Sequence, residues 1–583
     1  MRFQLSRGQK IPAWLALCLL VLLGAVVFWP ALTTPFFLDD FLQSAMVHGR
    51  FPGVRGPLTL YDFIGDDNRD ALFARGFLPW WTDPRLTLRF LRPLSSLLLF
   101  LSHRWFGAWP FVMHVHSFAW WVAAVLSARA LFRRYLAPRA AAFATVVFAL
   151  SPCHGLPLGW LANSEALMAL TLSTLGLTAM LRWREEGGWR LAAWSLLAFS
   201  LALAAGEYGL GCAGYVVAFT LSTPKGAPRR WRSVLLFALP TIGYLVARRT
   251  LGYGALASGF YQDPLQDTGL FLNHVPWRFV ALMLMGWFTQ QETAAWRLVG
   301  DPEWRSVAGL IVMVPILVLV LRHVGRQLRP EVRTTMWTFV GGSLLSFLPL
   351  LAVLPSLRLL GVAMLGIAPA VGLVLDMAWF GRETEARHGL DELTAIVAML
   401  LGFGHLIHSP ARAWINSRQI KKHAVDFGKR TAELAKRLEG KSSADIVVIL
   451  GLDDVFFYGF GLEALGVRDT HWTVLSHTGH VLCLRRDPST IELVVGPESG
   501  IYPAAWGDLY RSELHPLRQG ETFVTDEYYA TVGETGRFGP RKVRFQFPSD
   551  LDDPRWVWVS ESRPLDFQDA KPPKVGFGVP FDP

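Results

Sequence analysis

The chain of 583 residues is 52% hydrophobic and only 17% charged, against roughly 25% charge in soluble domains, which excludes an ordinary soluble enzyme with one anchor. Its formal charge of +10 comes from Lys and Arg placed mainly in short gaps between apolar runs, so the basic balance reads as membrane topology with anionic headgroups as partner rather than as nucleic-acid binding. The four cysteines contain no CxxC pair, which gives no disulfide framework and no thiol-ligated metal.

In chain order, a basic start (Arg2, Arg7, Lys10) precedes an apolar run over 11–31. That run is longer than the roughly 7–15 residues of a signal-peptide core and lacks a small-residue cleavage site, so it reads as a retained first helix with its N-terminus in the cytoplasm. A long loop, 32–109, follows on the external side. Ten further apolar runs lie near 110–131, 140–160, 165–181, 190–206, 207–222, 233–251, 305–321, 334–353, 359–379 and 391–408. Each is about long enough to cross a hydrocarbon core of roughly 30 Å, some with local thinning. Arg-rich connectors such as FRRYLAPR and RHVGRQLRPEVR alternate with connectors poor in positive charge, and eleven spans fit that alternation. Residues 276–290 are expected to lie in the interface, because counting them as a span would put the Arg322–Arg333 cluster outside.

The expected fold class is therefore an α-helical polytopic membrane protein of about eleven helices, residues 1–409, with a mixed α/β extramembrane domain over 410–583. In that second part Ile420, Ala424, Phe427, Leu434 and Leu438 recur at helical spacing, although Gly428 interrupts the pattern. ADIVVILGLDD, HWTVLSH, GHVLCLRRD, TIELVVG, KVRFQFPSD and RWVWVSESR read as strands, and KPPKVGFGVPFDP as a loose tail.

Candidate chemistry gathers at the external ends of the helices. Asp39 and Asp40 emerge just past helix one. A carboxylate pair there reads either as a general base or cation ligand, one member raised by the other's charge, or as the N-cap of a short helix starting FLQSAM. Asp66, Asp67 and Asp70 in GDDNRD, and Asp453 and Asp454 in GLDDVFF, read as turn chemistry. Arg89, Arg92 and Arg104 punctuate an apolar stretch that suits an interfacial helix, and their guanidinium groups also suit a lipid-linked phosphate. His114 and His116 point apart on a helix, which disfavours a metal pair. His154, Asn163, Glu165, Glu207 and Arg358 fall at the same external level as Asp39. One by one they read as capping or snorkelling groups; together they suit a site for a charged lipid headgroup.

PFFLDDF, RFLRPLSSLLLFLSHRWFGAWPFVMHVHSF, FALSPCHGLPLGWLANSEALMAL, LALAAGEYG and PSLRLLGVAMLG follow one another in an order that resembles the GT-C superfamily of glycosyltransferases, nearest its protein O-mannosyltransferase-like branch and bacterial relatives, over roughly residues 10–410. The resemblance implies a multi-helix membrane body that transfers a sugar from a polyprenyl-phosphate donor to a glycan, lipid or protein acceptor on the extracytoplasmic face of the plasma membrane. It implies Asp39 as general base or, in metal-using branches, ligand of a divalent cation, with Asp40 as the pair's second acid. It places Arg358 near the donor phosphate, with Arg92 assisting, and Glu207 and His154 among the substrate-binding residues. The chain departs from the family pattern in two places. Gly206 stands before Glu207 where a lysine is frequent, and Ser151-Pro152-Cys153-His154-Gly155-Leu156 stands where His-Pro-x-His-x-Glu is frequent. A transporter of a polyprenyl-linked substrate and a non-catalytic scaffold remain the alternative readings; the lack of mid-span charges weighs against the transporter.

Overall fold

In the computed structural model the described residues are 12–107, 109–266, 268–299, 303–381, 391–441, 445–467, 471–502, 508–563 and 566–581. The basic start and the connector 382–390 lie outside them.

The protein is an integral membrane protein. Among the described residues five helices are long and apolar enough to cross a membrane: Pro110–Tyr135, Leu161–Glu186, Val307–Gly325, Pro330–Ala352 and Glu392–Leu438. A bent pair, Pro138–Ala149 with Pro152–Gly159, makes a sixth if read as one span, its 43° break falling where Pro152 cannot continue the ladder. Several of the eleven expected spans appear as shorter apolar helices, among them Ala13–Val27, Trp189–Ala205 and Met364–Phe380. Ala13–Val27 packs closely because Gly24 admits the Trp121 ring: a Cβ there would lie 2.1 Å from the indole. The stretch expected in the interface is the second half of the helix Thr268–Trp287. Its residues Val280–Met283 are buried in the apolar body and it packs on Glu303–Gly325.

The last apolar helix does not stop at the expected membrane edge. It runs from Glu392 through a π-helical turn, Phe403–His408, into Ser409–Leu438, with Gly428 inside an unbroken helix. Ala424, Phe427, Leu434 and Leu438 form its buried stripe, as their spacing requires.

Two sheets follow. One orders Asp566–Asp569, Trp556–Arg563, Ile446–Leu450 and His471–Ser476, with Ile446–Leu450 parallel to both neighbours. The other is antiparallel, in the order Gly578–Phe581, Val481–Asp487, Thr490–Val494, Gly539–Gln546, Tyr529–Gly536, Thr522–Val524. The expected loose tail is thus an edge strand: Val579 pairs with Cys483 and Phe581 with Val481.

The long loop after the first helix belongs to this sheet-bearing body. Its buried residues share one apolar core with residues 447–570. Trp80 donates from Nε1 to the Leu475 carbonyl (3.1 Å), and Trp81 stacks on Tyr502 at 5.4 Å and 6°. Arg511 donates from Nε to the Trp81 carbonyl (2.6 Å). A small antiparallel sheet, Asp62–Ile64, Thr87–Arg89 and Gly254–Leu256, ties the loop to the segment after Thr250, so these two connectors lie on one side of the membrane body.

Candidate functional site

The carboxylate pair divides at the start of the helix Asp39–Val47. Successive helical residues point about 100° apart, so two adjacent acids cannot share a direction. Asp40 turns inward and is 0% exposed. Its Oδ2 accepts from the Phe37 N–H (3.2 Å) and its Oδ1 from the Ala162 N–H (3.1 Å). The first bond closes the helix start from behind, as a capping-box acid does. The second clamps the loop to the turn Leu161–Asn163, and the Tyr61 hydroxyl adds another bond by donating to the Ala162 carbonyl (2.7 Å). Asp40 is a positioning residue, not a group facing the site. Asp40→Ala would strand two buried N–H groups. The expected loss is about 2–4 kcal/mol of stability, read as a lowered unfolding midpoint in detergent, with Asp40→Asn intermediate.

Asp39 is held differently. The residue before it, Leu38, has φ 51° and ψ −123°, a backbone strained for a branched side chain. That twist delivers Asp39 to an open cavity of about 960 Å³. Among the described residues its carboxylate has no hydrogen-bonding partner. Burial raises it from 3.8 to about 7, which Arg358 and Arg92 oppose and the negative Glu165 reinforces.

Across the same cavity stands Arg358, in the short 3₁₀ turn Leu357–Gly361 ahead of Met364–Phe380. Its guanidinium lies 5.4 Å over the Trp160 ring and has no acidic partner within ion-pair distance among the described residues. Arg92 has the opposite surroundings. It donates from Nη1 to Glu165 (3.0 Å) and from Nε to Glu207 (2.8 Å), over the rings of Tyr61 and Phe90. Its charge is already matched, so it organises the wall and leaves Arg358 as the available cation. Glu165 spends one oxygen on Arg92 and on the Asn163 amide, while Oε2 is buried with no partner among the described residues. Tyr261 and Gln262 close the top of the cavity by pairing with Val353 and Ala352.

The structure therefore brings Asp39, Arg92, Glu207 and Arg358 to one cavity and leaves out Asp40 and His154. His154 is buried between Phe28 and Phe148, and its Nε2 meets the Phe148 carbonyl at 2.9 Å. It secures the bend of a helix pair. Sequence reading did not single out Tyr208 or Trp160, and Tyr261 lay in a connector without a motif. His114, set aside as a metal ligand, places Nδ1 2.8 Å from the Leu158 carbonyl and Nε2 3.0 Å from the Thr34 carbonyl. Among the described residues no three His, Cys, Asp or Glu side chains are grouped to hold a metal ion. With Asp40 committed to the backbone, the donor set at Asp39 does not fit a divalent cation, and no step below runs through one.

No family model and no curated protein matches the chain. Among solved structures it is similar to the archaeal oligosaccharyltransferase AglB from Archaeoglobus fulgidus, in complex with an inhibitory peptide and a dolichol-phosphate, at 13% identity and TM-score 0.42 over 79% of this chain and 64% of that one. It is also similar to ArnT from Cupriavidus metallidurans bound to undecaprenyl phosphate, at 13% identity and TM-score 0.41 over 78% and 85% of the two chains. A third is the arabinofuranosyltransferase AftD from Mycobacteria, at 14% identity and TM-score 0.36 over 93% and 40%. The chain thus spans 64% of the length of the first of these. Likeness at this level leaves substrate and chemistry to the site's own residues.

Proposed function

We propose that the protein is a membrane glycosyltransferase that moves a sugar from a polyprenyl-phosphate donor to an acceptor hydroxyl on the extracytoplasmic face of the plasma membrane. The carrying observation is one cavity at the membrane end of the first external loop that presents a carboxylate, Asp39, and a guanidinium, Arg358, both unpaired among the described residues, with the other described strong charges beside them matched. In this reading residues 1–409 supply the donor site, and 410–583 with the first loop cover it. The GT-C assignment, and the O-mannosyltransferase-like branch within it, belong to the same proposal.

The chemistry follows from those two groups. The acceptor oxygen attacks the anomeric carbon, the bond from that carbon to the phosphate oxygen breaks, and the electron pair leaves with the polyprenyl phosphate. Asp39 takes the acceptor proton as the new bond forms. Arg358 meets the charge that builds on the leaving phosphate, and a phosphate needs no acid to depart. Attack opposite the leaving group inverts the anomeric centre. The unpartnered Glu165 Oε2 is placed to accept a sugar hydroxyl.

The test uses the purified full chain in lipid nanodiscs with a radiolabelled polyprenyl-phosphate sugar. The expected result is release of polyprenyl phosphate with label on an acceptor or, slowly, on water. Arg358→Gln should lower kcat/KM about 10²–10³-fold while the folded protein is recovered at normal yield. Donor that crosses a vesicle bilayer without being consumed would identify a transporter instead. Absence of any donor binding would leave a scaffold.

A further inference from the structure

A second cleft opens on the far side of Asp39. It spans about 1300 Å³, part of it open to solvent, between the first external loop, the segment 260–296 and the sheet-bearing region, and Asp39, Trp160, Tyr261 and Arg358 line both spaces. Its charge is one-sided: Asp39, Glu292, Asp454 and Asp508 face Arg358 and His477.

Two of these acids are not spent on the fold. Asp508 is 6% exposed; its Oδ1 accepts from the Tyr510 N–H (3.1 Å), while Oδ2 is buried with no partner among the described residues. The nearest cation, Arg511, is occupied with the carbonyls of Trp81, Thr82 and His515. Asp454 sits at φ 46°, strained for a residue other than glycine, and opens into the cleft ahead of the helix Val455–Ala464. Its neighbour Asp453 is the one that pairs with Arg430. Burial raises Asp508 to about 7, so a bound cation would draw it into the charged form, while Asp454 offers its carboxylate from the open side of the cleft. A buried donor is idle as well: Trp81, 1% exposed, leaves Nε1 without an acceptor among the described residues. Trp160 and Trp296 line the same cleft.

A metal ion does not suit this pattern, because the acids are spread along the cleft and, among the described residues, do not converge three together. An extended organic cation does, because its charges can be spaced as the acids are. We infer that this cleft is the acceptor site and takes an amine-bearing sugar chain: protonated amines meet Asp454 and Asp508, and one hydroxyl reaches Asp39. The assignment rests on the glycosyl-transfer reading above and names its acceptor class.

The experiment titrates the purified full chain with short glucosamine oligomers and with the same oligomers N-acetylated, following tryptophan fluorescence. Wild type should bind the amine form about tenfold more tightly or better. Asp454→Asn with Asp508→Asn should erase that preference. If the double variant fails to fold, Asp454→Asn alone, at the open side of the cleft, should reduce it. Equal affinity for the two oligomers, binding of neither, or a preference that survives the substitutions would overturn the inference. Donor consumption by the wild type is measured in parallel. Consumption without amine preference sinks the acceptor class alone, whereas amine preference without any consumption sinks the transferase reading.

Discussion

Asp39→Asn is expected to reduce glycosyl transfer about 10²–10⁴-fold while leaving donor binding and the unfolding temperature close to wild type. The contrast follows from the site. Among the described residues the Asp39 carboxylate has no hydrogen bond to lose, and the amide is nearly isosteric, so the fold does not depend on the charge. The proton acceptor does disappear. The pH profile supplies the second readout. A base must be deprotonated to act, and burial holds this acid near 7 instead of 3.8. The wild-type rate should therefore climb with pH on a limb centred near 7 and level off above it. The residual rate of the Asn variant should lack that limb. A wild-type profile flat from pH 5 to 8, or an Asn variant of undiminished rate at normal protein level, would remove Asp39 from this role.

The largest expected loss of stability is at Arg92→Met. Removing the guanidinium leaves Glu165 and Glu207 facing each other with side chains 2% and 27% exposed and no cation between them. Breaking a buried ion pair from one side costs about 3–5 kcal/mol, because the remaining charge stays desolvated and unmatched. A lower recovered yield and a clearly lower unfolding midpoint are expected. Arg92→Lys should fall between, keeping the charge and losing the fork that spans two carboxylates. Adding Glu165→Gln and Glu207→Gln to Arg92→Met should restore much of the stability. If Arg92→Met folded normally and only raised the donor KM, Arg92 would be a ligand-binding group and not the keystone of the wall.

What the sequence made legible follows its periodicities. Apolar runs located many of the helices but overcounted the spans, since five, or six with the bent pair, are long enough to cross among the described residues; β-branched runs located six of the strands, and the spacing from Ala424 to Leu438 gave the buried stripe of the last helix. Gly578–Phe581 escaped because a strand rich in Gly and Pro carries no alternating pattern; its partner Val481–Asp487 defines it. The site was legible as a level and not as directions. Asp39, Glu207 and Arg358 could be assigned to one external plane from topology alone, yet adjacency could not say that Asp40 turns to the Phe37 and Ala162 amides while Asp39 turns outward. That division depends on the strained backbone of Leu38, which no propensity signals. Arg92 looked free in sequence because its two acids come from positions 73 and 115 residues away. Asp454 read as a strand-end turn, which it is. Its place in a cleft depends on Asp508, Trp81 and Glu292, drawn from three remote segments.

The shared core of the first loop and the sheet-bearing region bears on biogenesis. Trp80 waits for a partner made 395 residues later. During synthesis the loop leaves the first helix with two tryptophans and a row of phenylalanines unhoused, and it stays so until the sheet-bearing region has followed. Assembly of the candidate site is thereby tied to synthesis of the sheet-bearing region. A product halted at the last membrane helix would hold the membrane-side walls of the cavity but lack the surface against which the Asp39 loop sets, so premature termination leaves an intermediate with its apolar loop core open to quality control.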